Sequence, residues 1–476
     1  MKIEILTLSE EKIFKVEVET TDVWNDISHL YCVDNFLAGK VVIIDSLFGL
    51  VDIVDKVHIK SSGESIFTNI KDRYSNINTE SGIELIKKYY SSQFEEDKGK
   101  RKLLSLSICP TFSCNLACTY CFEKDYCKNN DLMTEDTLKR IECYFSKEID
   151  KVKDEYPDAF INLELFGGEP IQKKNKDLII DFLHFARKKG CGVIIVSNGY
   201  ELKEFAPELI QYRDVIGEIC VTLDGVKKYH DKLRISADKK GSFDKIVEAI
   251  DLYLKLGINI RVATNVCKDN LKSLSALFEF YKERGWLDSK YFGVYIGRVF
   301  SRRTASVPEN ILYEGEIIEE VQKIFPNDNP KWLQLSFIKV AEYLAKQIGV
   351  HYNQDEYGKA RYHYCWATSP ILLGYYVDGE MNTYRCTTTV ADTQYSLGKL
   401  EEITYNSYLK NDFFHQNIFS NSECMSCKIG GFCGGGCVME KEHRGEQVCI
   451  YEKQSFDDFI DRIFKPRLKE LYERIV

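Results

Sequence analysis

The chain has 476 residues, too many for one ordinary domain, so two to four domains are expected. Its formal net charge of −9 gives no general attraction to nucleic acid or to an anionic membrane, and we expect neither as a partner. No apolar run is long enough to predict a transmembrane helix, and the N-terminus lacks the regions of a signal peptide, so the sequence predicts a cytoplasmic protein.

Seventeen cysteines in a cytoplasmic protein of this size need an explanation. Disulfides are disfavoured in that compartment, so metal binding or redox chemistry is the better interpretation. The cysteines are also unevenly spread along the chain. Three lie in the segment 114–121 and seven lie between Cys365 and Cys449, which marks two regions where metal chemistry is expected.

Residues 1–95 are predicted to form a small α+β module that carries no catalytic constellation. Apolar and polar side chains alternate over residues 13–18, which is typical of a strand. Helical patterns follow over Ser65–Tyr74 and Glu80–Phe94. A charged stretch then separates this module from the rest of the chain.

Strand and helix patterns alternate over residues 103–300, which predicts βα units and a parallel sheet. In such sheets the functional side chains gather at the C-terminal ends of the strands. Residues 301–364 are predicted to be a connecting helical segment, with one helix over Trp332–Ile348. The cysteine-rich region 365–449 comes next, and residues 450–476 are predicted to form a C-terminal helix.

A cysteine loop follows the first predicted strand of this sheet. Cys114, Cys118 and Cys121 stand at spacings of four and three residues, with Tyr120 just before the last. Three thiolates cannot complete a tetrahedral zinc site or saturate a four-iron cluster. The pattern leaves a partial zinc knuckle, or a [4Fe-4S] cluster with one open iron. With its aromatic residue, the loop resembles the signature of the radical SAM superfamily, whose open iron binds S-adenosylmethionine (SAM).

Motifs at later strand ends extend the resemblance. Gly167-Gly168-Glu169-Pro170 follows one predicted strand; its glycines would let a ligand approach the backbone, and Glu169 would offer a carboxylate to a cation. In radical SAM enzymes the motif at this place binds the SAM ammonium group. Ser197-Asn198, Thr222 with Asp224, and then Arg234 follow the next two predicted strands in the order found in that superfamily.

The resemblance implies a role for these side chains. Ser197, Asn198 and Thr222 would lie near the SAM ribose or carboxylate. Arg234 would pair with the SAM carboxylate, which a planar guanidinium suits, and Asp224 would face the substrate as the candidate catalytic residue. The full set expected to bind SAM is Tyr120, Gly167, Gly168, Glu169, Pro170, Ser197, Asn198, Thr222 and Arg234.

The late cysteines form a second pattern, Cys424-x2-Cys427-x5-Cys433-x3-Cys437, with Cys449 beyond. Two structural zinc sites could also be built on these spacings. In a chain with the first cysteine loop, the pattern resembles the SPASM region of sulfatase maturases and peptide maturases. The resemblance implies two auxiliary [4Fe-4S] clusters, one held by Cys424, Cys427, Cys433 and Cys449, the other by Cys365, Cys386 and Cys437.

The second of these sets has only three cysteines. Sulfatase maturases carry a further cysteine in this part of the region, and this chain has none between Cys386 and Cys424. Two hypotheses follow: either a non-cysteine ligand such as Asp392 completes the cluster, or its fourth iron is open. An open iron would bind a substrate thiolate, since thiolates are the natural ligands of such clusters.

The resemblance implies an α/β fold: a partial (β/α)6 TIM-type barrel, a C-terminal cysteine-rich iron–sulfur (SPASM) domain and the small N-terminal α+β module. The implied cofactors are SAM and three [4Fe-4S] clusters. The implied function is that of a peptide maturase. It would cleave SAM reductively to a 5′-deoxyadenosyl radical, abstract a hydrogen from a ribosomally made precursor peptide and form a thioether from a peptide cysteine.

The partners implied by the resemblance are the precursor peptide with its leader and an electron donor such as flavodoxin or ferredoxin. Residues 1–95 would recognise the leader, as winged-helix domains do in such maturases. The alternatives within the enzyme class are a carbon–carbon cross-linking maturase and a sulfatase-maturase-like enzyme that forms formylglycine. The alternative from another class is a non-catalytic, metal-bound scaffold that only binds a peptide.

Overall fold

A computed structural model gives the structure of the chain. It describes residues 1–62, 65–74, 77–100, 103–123, 132–236, 238–299, 309–326, 330–336, 338–350, 352, 361–369, 373–403 and 416–474. Two sheets organise these residues, one of seven strands and one of nine. Among the described residues, no helix combines the length and the apolar character that crossing a bilayer requires.

The seven-stranded sheet belongs to the N-terminal module. Its strands are β1 (Lys2–Ser9), β2 (Lys12–Asp26), β3 (Tyr31–Leu37), β4 (Lys40–Asp45), β5 (Leu50–Asp55), β6 (Ile59–Ser62) and β7 (Ser65–Ile70), and helix α1 (Glu80–Lys100) follows. The strands run antiparallel in the order β3-β4-β5-β1-β2-β7-β6. Both faces of this sheet are buried: in β4, Val41 and Ile43 pack into the module's own core, whereas Val42 and Ile44 pack into the main core.

Two expectations for this module are wrong. Ser65–Ile70 is a strand and not the start of a helix, because its alternate residues turn to the buried side of the sheet. The described residues do not have the winged-helix arrangement either, because strands take up most of the chain up to Ile70. The helix predicted over Glu80–Phe94 is confirmed within α1. The domain borders and the recognition of a leader remain predictions.

The nine-stranded sheet begins with a run of parallel strands that alternate with helices. The strands are β8 (Leu103–Ile108), β9 (Phe160–Leu165), β10 (Gly192–Ser197), β11 (Ile216–Thr222), β12 (Ile260–Val266), β13 (Phe292–Arg298) and β14 (Leu333–Ser336). The helices are α2 (Glu135–Glu155), α3 (Lys176–Lys189), α4 (Ala206–Leu209), α5 (Lys227–Leu233), α6 (Phe243–Lys255), α7 (Leu274–Glu283), α8 (Glu314–Ile324) and α9 (Glu342–Gln347).

Neighbouring strands from β8 to β14 are parallel, as the alternation predicted. The helices bury one apolar face against the sheet; in α2 that face consists of Leu138, Ile141, Phe145, Ile149 and Val152. The expected helix Trp332–Ile348 is wrong in its first part. Leu333 pairs with Val294 of β13, and Leu333 and Leu335 alternate into the core, so the sheet gains β14 before the short helix α9.

The cysteine-rich region continues the same sheet. Its elements are β15 (Leu373–Val377), β16 (Thr383–Tyr384), α10 (Ser422–Met425), α11 (Gly430–Cys433), α12 (Val438–Arg444), α13 (Gln447–Phe459) and α14 (Lys465–Glu473), with a π-helical turn at Ile460–Phe464. Strand β15 lies parallel to β8, so the border predicted at residue 365 does not interrupt the sheet. Helix α13 begins at Gln447, and Cys449 therefore lies in its first turn.

The order β14-β13-β12-β11-β10-β9-β8-β15-β16 is linear, so the barrel is a curled sheet that does not close. This confirms the α/β class with a partial barrel. The C-terminal ends of β8, β9 and β10 lie side by side, because Ile108 stands beside Leu165 and Leu165 beside Ile195. The loops that follow these strands therefore meet at one edge of the sheet.

Candidate active site

The first cysteine loop leaves β8 and is held by backbone hydrogen bonds to the segment after α5. The amide of Ala117 donates to the carbonyl of Ile235 at 2.6 Å, and that of Thr119 donates to the carbonyl of Leu233 at 2.9 Å. Cys121 donates to the carbonyl of Cys118, which makes the last part of the loop a tight turn. The three cysteines thus lie on a loop whose path is fixed by the end of α5 and the residues just after it.

The turn after β9 packs directly on this loop. The amide of Glu169 donates to the carbonyl of Ser113 at 2.9 Å. A Cβ atom on Gly168 would stand 2.5 Å from backbone atoms of Phe112 and Ser113, and Gly167 has a positive φ of 98°. The missing side chain of Gly168 makes room for the protein's own cysteine loop, and the approach of a ligand to these glycines stays a prediction.

The Glu169 carboxylate is bound by the protein itself. It accepts hydrogen bonds from the amide of Ile171 at 2.8 Å, the hydroxyl of Ser197 at 2.8 Å and the amide of Asn198 at 2.5 Å. Burial nevertheless raises the pKa of Glu169 to about 7, since a carboxylate loses its water there. Glu169 thus ties the turn after β9 to the end of β10, and its contact with the SAM ammonium group stays a prediction.

Asn198 connects the end of β10 with the cysteine loop. Its side-chain amide donates to the side-chain carbonyl of Asn115 at 2.7 Å and to Cys114 Sγ at 3.5 Å. The amide of Leu116 donates to the same sulfur at 3.4 Å. Two donors therefore point at the Cys114 sulfur, and hydrogen bonds to sulfur are among the factors that set the potential of an iron–sulfur cluster.

Tyr120, Asp224 and Arg234 form a buried network beside the loop. The Tyr120 hydroxyl donates to Asp224 and accepts from the Arg234 guanidinium at 2.8 Å. The other Asp224 oxygen accepts from the amide of Asn265 at 2.8 Å, and Asp224 is completely buried. Burial raises the pKa of Asp224, and the Arg234 charge opposes that rise. Asp224 therefore holds Tyr120 and Arg234 in place, and its role toward the substrate stays a prediction.

His230 links Asp224 to Arg234 through the backbone. Its Nδ1 accepts from the amide of Asp224 at 3.1 Å, so the proton of the neutral ring lies on Nε2, which faces the Ser242 hydroxyl at 2.9 Å. That hydroxyl donates to the Arg234 carbonyl at 2.8 Å. Burial lowers the pKa of His230 well below its ordinary value and keeps the ring neutral. His230 is thus a local structural histidine of the turn.

These residues fit a [4Fe-4S] cluster with bound SAM. Burial raises the pKa of Cys114 to about 12 and that of Cys121 to about 11, so the free thiols are protonated. They lose their protons when a positively charged iron binds them. Within the described chain, Arg234 Nε is buried and has no hydrogen-bond partner, which leaves a charged donor for an anionic ligand. Of the remaining predicted residues, Pro170 is buried and Thr222 is half-buried at the end of β11.

The late four-cysteine set is brought together by α10, α11 and α13. Burial raises the pKa of Cys433 well above its ordinary value, and the neighbouring Glu452 and the sulfurs of Cys427, Cys424 and Cys449 add to this rise. Gly430 allows this approach, because a Cβ atom there would stand 2.2 Å from the Cys424 carbonyl. The four thiols predicted to hold one auxiliary cluster are therefore neighbours.

The three-cysteine set is grouped as well. Cys365 packs with Cys386 in one small apolar cluster and with Cys437 in another. Asp392, the suggested fourth ligand, accepts hydrogen bonds from the amide of Gln394 and from its side chain. Over the residues that the structure describes, no three His, Cys, Asp or Glu side chains are grouped for a single metal ion. A cluster differs in binding each cysteine at a separate iron.

Several functional side chains were missed in the sequence. Asn265 holds Asp224, Ser242 holds His230, and Gln172 donates from its side chain to the carbonyls of Ser113 and Glu169 at 2.8 Å each. Asn265 lies near the C-terminal end of a predicted strand, and that position was a usable signal. Nothing in the local sequence distinguishes Gln172 or Ser242 from ordinary loop residues.

Comparison with known proteins agrees with this arrangement. The sequence model of the radical SAM superfamily matches residues 108–280. The cysteine-type anaerobic sulfatase-maturating enzyme of Clostridium novyi is 22% identical over 375 residues, which cover 72% of this chain and 89% of that enzyme. Residues 108–280 contain the first cysteine loop and the C-terminal ends of β8 to β12.

Solved structures show the same fold. The structure of anSMEcpe with bound AdoMet has a TM-score of 0.56 at 17% identity and covers 78% of this chain and 99% of its own. Streptococcus suis SuiB bound to precursor peptide SuiA has a TM-score of 0.52 at 13% identity and covers 89% of this chain and 98% of its own. Residues 108–280 therefore carry a radical SAM domain, and the chain is an enzyme; a domain of this family implies a [4Fe-4S] cluster and SAM.

Proposed function

We propose that this enzyme is a radical SAM peptide maturase that forms a thioether cross-link from a cysteine of a ribosomally made precursor peptide. The observation that carries the proposal is the second group of three thiols, Cys365, Cys386 and Cys437, in one chain with the SAM-type cysteine loop. A set one ligand short of four leaves a place where the thiolate of a peptide could bind. The precursor-bound SuiB structure supports a peptide as the partner.

The proposal assigns the first site to SAM. Cys114, Cys118 and Cys121 hold the cluster, and Arg234 supplies a buried charge for the SAM carboxylate. SAM bound to the reduced cluster would supply a 5′-deoxyadenosyl radical that takes one hydrogen atom from a peptide carbon; as the C–S bond forms, the cysteine would lose its thiol proton and an auxiliary cluster would accept the remaining electron. The residues of the chain position the loops around it: Glu169 ties two strand ends together, and Asp224 orients Tyr120 and Arg234.

The proposal assigns two auxiliary [4Fe-4S] clusters to the late cysteines. Cys424, Cys427, Cys433 and Cys449 hold one with four ligands, and Cys365, Cys386 and Cys437 hold the other with three. Apolar side chains surround the three-cysteine set, among them Ala367, Val438 and Met439. Such surroundings suit an uncharged peptide segment that reaches the site with a single thiolate. An electron donor such as flavodoxin or ferredoxin supplies the electron.

Iron content and SAM cleavage provide the first test. The anaerobic protein should be brown and carry about twelve irons per chain if three four-iron clusters are present. With SAM and a strong reductant it should release 5′-deoxyadenosine. A colourless protein that contains zinc would contradict the assignment of the cysteines.

The peptide product tests the thioether itself. The peptides encoded next to this gene provide the substrates to try, and the modified peptide should weigh two hydrogens less and have lost one alkylatable thiol. A modified peptide in which every cysteine still reacts with iodoacetamide would rule the thioether out.

A second candidate function is the formation of formylglycine on a sulfatase. It is favoured by the similarity to the cysteine-type sulfatase-maturating enzyme, which spans 72% of this chain. The two functions separate by product: formylglycine formation consumes a cysteine and leaves an aldehyde that reacts with hydrazides, whereas a thioether gives no such reaction. A carbon–carbon cross-link would leave every thiol free.

A further inference from the structure

The first cysteine loop reaches the surface of the molecule at one edge. Ala117 and Thr119, between the cysteines, are exposed, although Leu116 between them and Cys114 is buried. Their amides pair with the carbonyls of Ile235 and Leu233. The segment 227–241, which contains these two carbonyls, is therefore the direct neighbour of the exposed edge of the loop.

This segment is basic in a chain that is acidic as a whole. It contains six lysines and arginines against two aspartates, whereas the net charge of the chain is −9. Both aspartates are paired with lysines: Asp231 with Lys227 at 3.1 Å and Asp238 with Lys240 at 2.8 Å. The local excess of positive charge is therefore carried by the other residues of the segment.

Three of these lysines are exposed and not neutralised nearby. Among the residues that the structure describes, Lys228, Lys232 and Lys239 have no carboxylate within ion-pair distance. Lys228 and Lys232 are one helical turn apart and thus on one side of α5. Lys174 joins them from the other side of the loop, where its ammonium group donates to the Ser113 hydroxyl at 2.8 Å. We call these four lysines the basic patch.

We propose that the basic patch is the docking surface for an acidic one-electron donor protein, which reduces the cluster of the first cysteine loop. The proposal rests on the proposed function, because SAM cleavage needs an electron from outside the chain. Electron transfer slows steeply with distance, so the donor must approach where the loop is exposed, at Ala117 and Thr119. Positive charge around that point steers an acidic partner toward it and fixes its orientation.

The step balances with a reduced flavoprotein as the donor. The anionic flavin hydroquinone gives one electron to the oxidised cluster and becomes the neutral semiquinone. No atom is transferred between the proteins. The docking surface therefore needs only to hold the two redox groups close for one electron transfer and then release the donor, which suits a small, charged and salt-sensitive contact.

The test compares a protein donor with a small-molecule donor. The variant Lys228→Glu/Lys232→Glu/Lys239→Glu is made in the full chain with its clusters, and each protein is supplied with either purified flavodoxin hydroquinone or dithionite. We expect 5′-deoxyadenosine formation with flavodoxin to fall about tenfold at low ionic strength, and formation with dithionite to stay unchanged. The electron paramagnetic resonance signal of the reduced cluster, recorded after rapid mixing with flavodoxin, should be delayed by the same factor.

The matched control reverses three exposed lysines on the outer helices, Lys147→Glu/Lys151→Glu/Lys282→Glu. It changes the net charge by the same amount and should keep the flavodoxin-driven rate. Salt should remove the difference between the variants, because the screening length falls from about 30 Å at 0.01 M to about 3 Å at 1 M.

An equal loss in both triple variants, or no loss in the patch variant, would overturn the docking surface. If neither dithionite nor flavodoxin drives 5′-deoxyadenosine formation in the unaltered protein although the cluster signal forms, the proposed function is wrong. The docking surface is then still tested by the rate at which flavodoxin reduces the cluster in the mixing experiment. The two proposals can therefore fail separately.

Discussion

The two sets of three cysteines have different surroundings. Around Cys114, Cys118 and Cys121 the buried partners are charged or amide groups, namely Glu169, Asp224, Arg234 and Asn198. Around Cys365, Cys386 and Cys437 the packing partners include the aromatic and apolar side chains Tyr364, Trp366, Ala367, Tyr395, Leu397, Val438 and Met439, and the charge of Lys339 lies near Cys365. Arg385, next to Cys386, donates to the backbone carbonyls of residues 366, 367, 369 and 374.

The difference indicates what each set can accept besides iron. A charged ligand such as the amino acid part of SAM is stable in a buried site only when charged or hydrogen-bonding partners are already there. The first set has a hydrogen-bonded network of such partners, whereas aromatic and apolar side chains pack on the thiols of the second. Under the proposed function, this difference suits a zwitterion at the first set and a peptide thiolate at the second.

The sharpest way to break the comparison is to remove one cysteine from each set. Cys118→Ala should lose about four of about twelve irons and abolish 5′-deoxyadenosine formation. Cys386→Ala should lose a similar amount of iron but still form 5′-deoxyadenosine, while the peptide product disappears. Iron analysis, chromatography of the nucleoside and mass spectrometry of the peptide give the three readings.

If Cys386→Ala lost SAM cleavage as completely as Cys118→Ala, the two sets would not have separate roles. Cys143→Ala, at an exposed cysteine on α2, serves as the control and should keep all the iron and both products.

Replacing an arginine beside each set tests the charge contrast. Arg234→Lys removes the buried Nε donor and replaces the planar fork of the guanidinium, which spreads its donors in fixed directions, by a compact ammonium group. Loss of a hydrogen bond to a charged group corresponds to roughly 10- to 100-fold weaker SAM binding, measured by titration calorimetry. Arg385→Lys should instead lower the free energy of unfolding by about 1–3 kcal/mol and leave SAM affinity unchanged. Equal effects on SAM affinity would remove the contrast.

Much of the fold could be predicted from the sequence because the hydrophobic periodicity of its strands and helices is strong. Alternating βα patterns identified the strands from β8 to β13 correctly. The errors occurred at short segments, whose secondary structure depends on their tertiary neighbours. Both β7 and β14 are short alternating segments that form strands because a neighbouring strand pairs with them. Ile70 of β7 pairs with Thr20, and Leu333 of β14 pairs with Val294. The winged-helix expectation rested on the family resemblance alone, and no periodic pattern of apolar residues in the N-terminal module supported it.

The candidate site was predictable to a different degree. Spacing groups Cys114, Cys118 and Cys121, since thiols three or four residues apart on a loop lie close together, whereas the division of the late cysteines into two sets was implied by the resemblance. The supporting contacts depend on which strand ends meet. Asn265 reaches Asp224 across 41 residues, and Asn198 reaches Cys114 across 84 residues. The same register brings Glu169 to Ser197 and Asn198.

Filling the space at Gly168 should damage the first site alone. Gly168→Ala places a Cβ atom 2.5 Å from the backbone of Phe112 and Ser113, so the cysteine loop must move. Overpacking of this kind costs about 1–3 kcal/mol, which urea unfolding of the apoprotein measures, and iron should be lost from the first set. Gly192→Ala is the control, because nothing lies within 4 Å of its added Cβ atom. Equal destabilisation by both changes would show that the contact with the loop is unimportant.

The smallest expected effect is the response of the first set to pH. Burial raises the pKa of Glu169 to about 7. When the carboxyl takes up a proton, it loses one acceptor position, and its hydrogen bonds from Ile171, Ser197 and Asn198 lose the strength that the negative charge gives them. If SAM binding needs the ionised form, the apparent Kd should rise up to about tenfold as the pH falls from 8 to 6. Glu169→Gln should bind SAM weakly at both pH values.

The stability of the apoprotein should change in the opposite direction over the same range. Because the pKa of Glu169 is higher in the folded than in the unfolded chain, the folded state binds more protons between the two values. Its contribution to stability is therefore present at low pH and is lost as the pH rises toward about 7. Glu142 on α2, whose pKa burial also raises to about 7, provides the matched control. Both Glu169→Gln and Glu142→Gln should flatten the pH dependence of the unfolding free energy, but only Glu169→Gln should remove that of SAM binding. A change in SAM binding from Glu142→Gln would mean that the pH response arises from the fold as a whole and not from the loops around the first cysteine set.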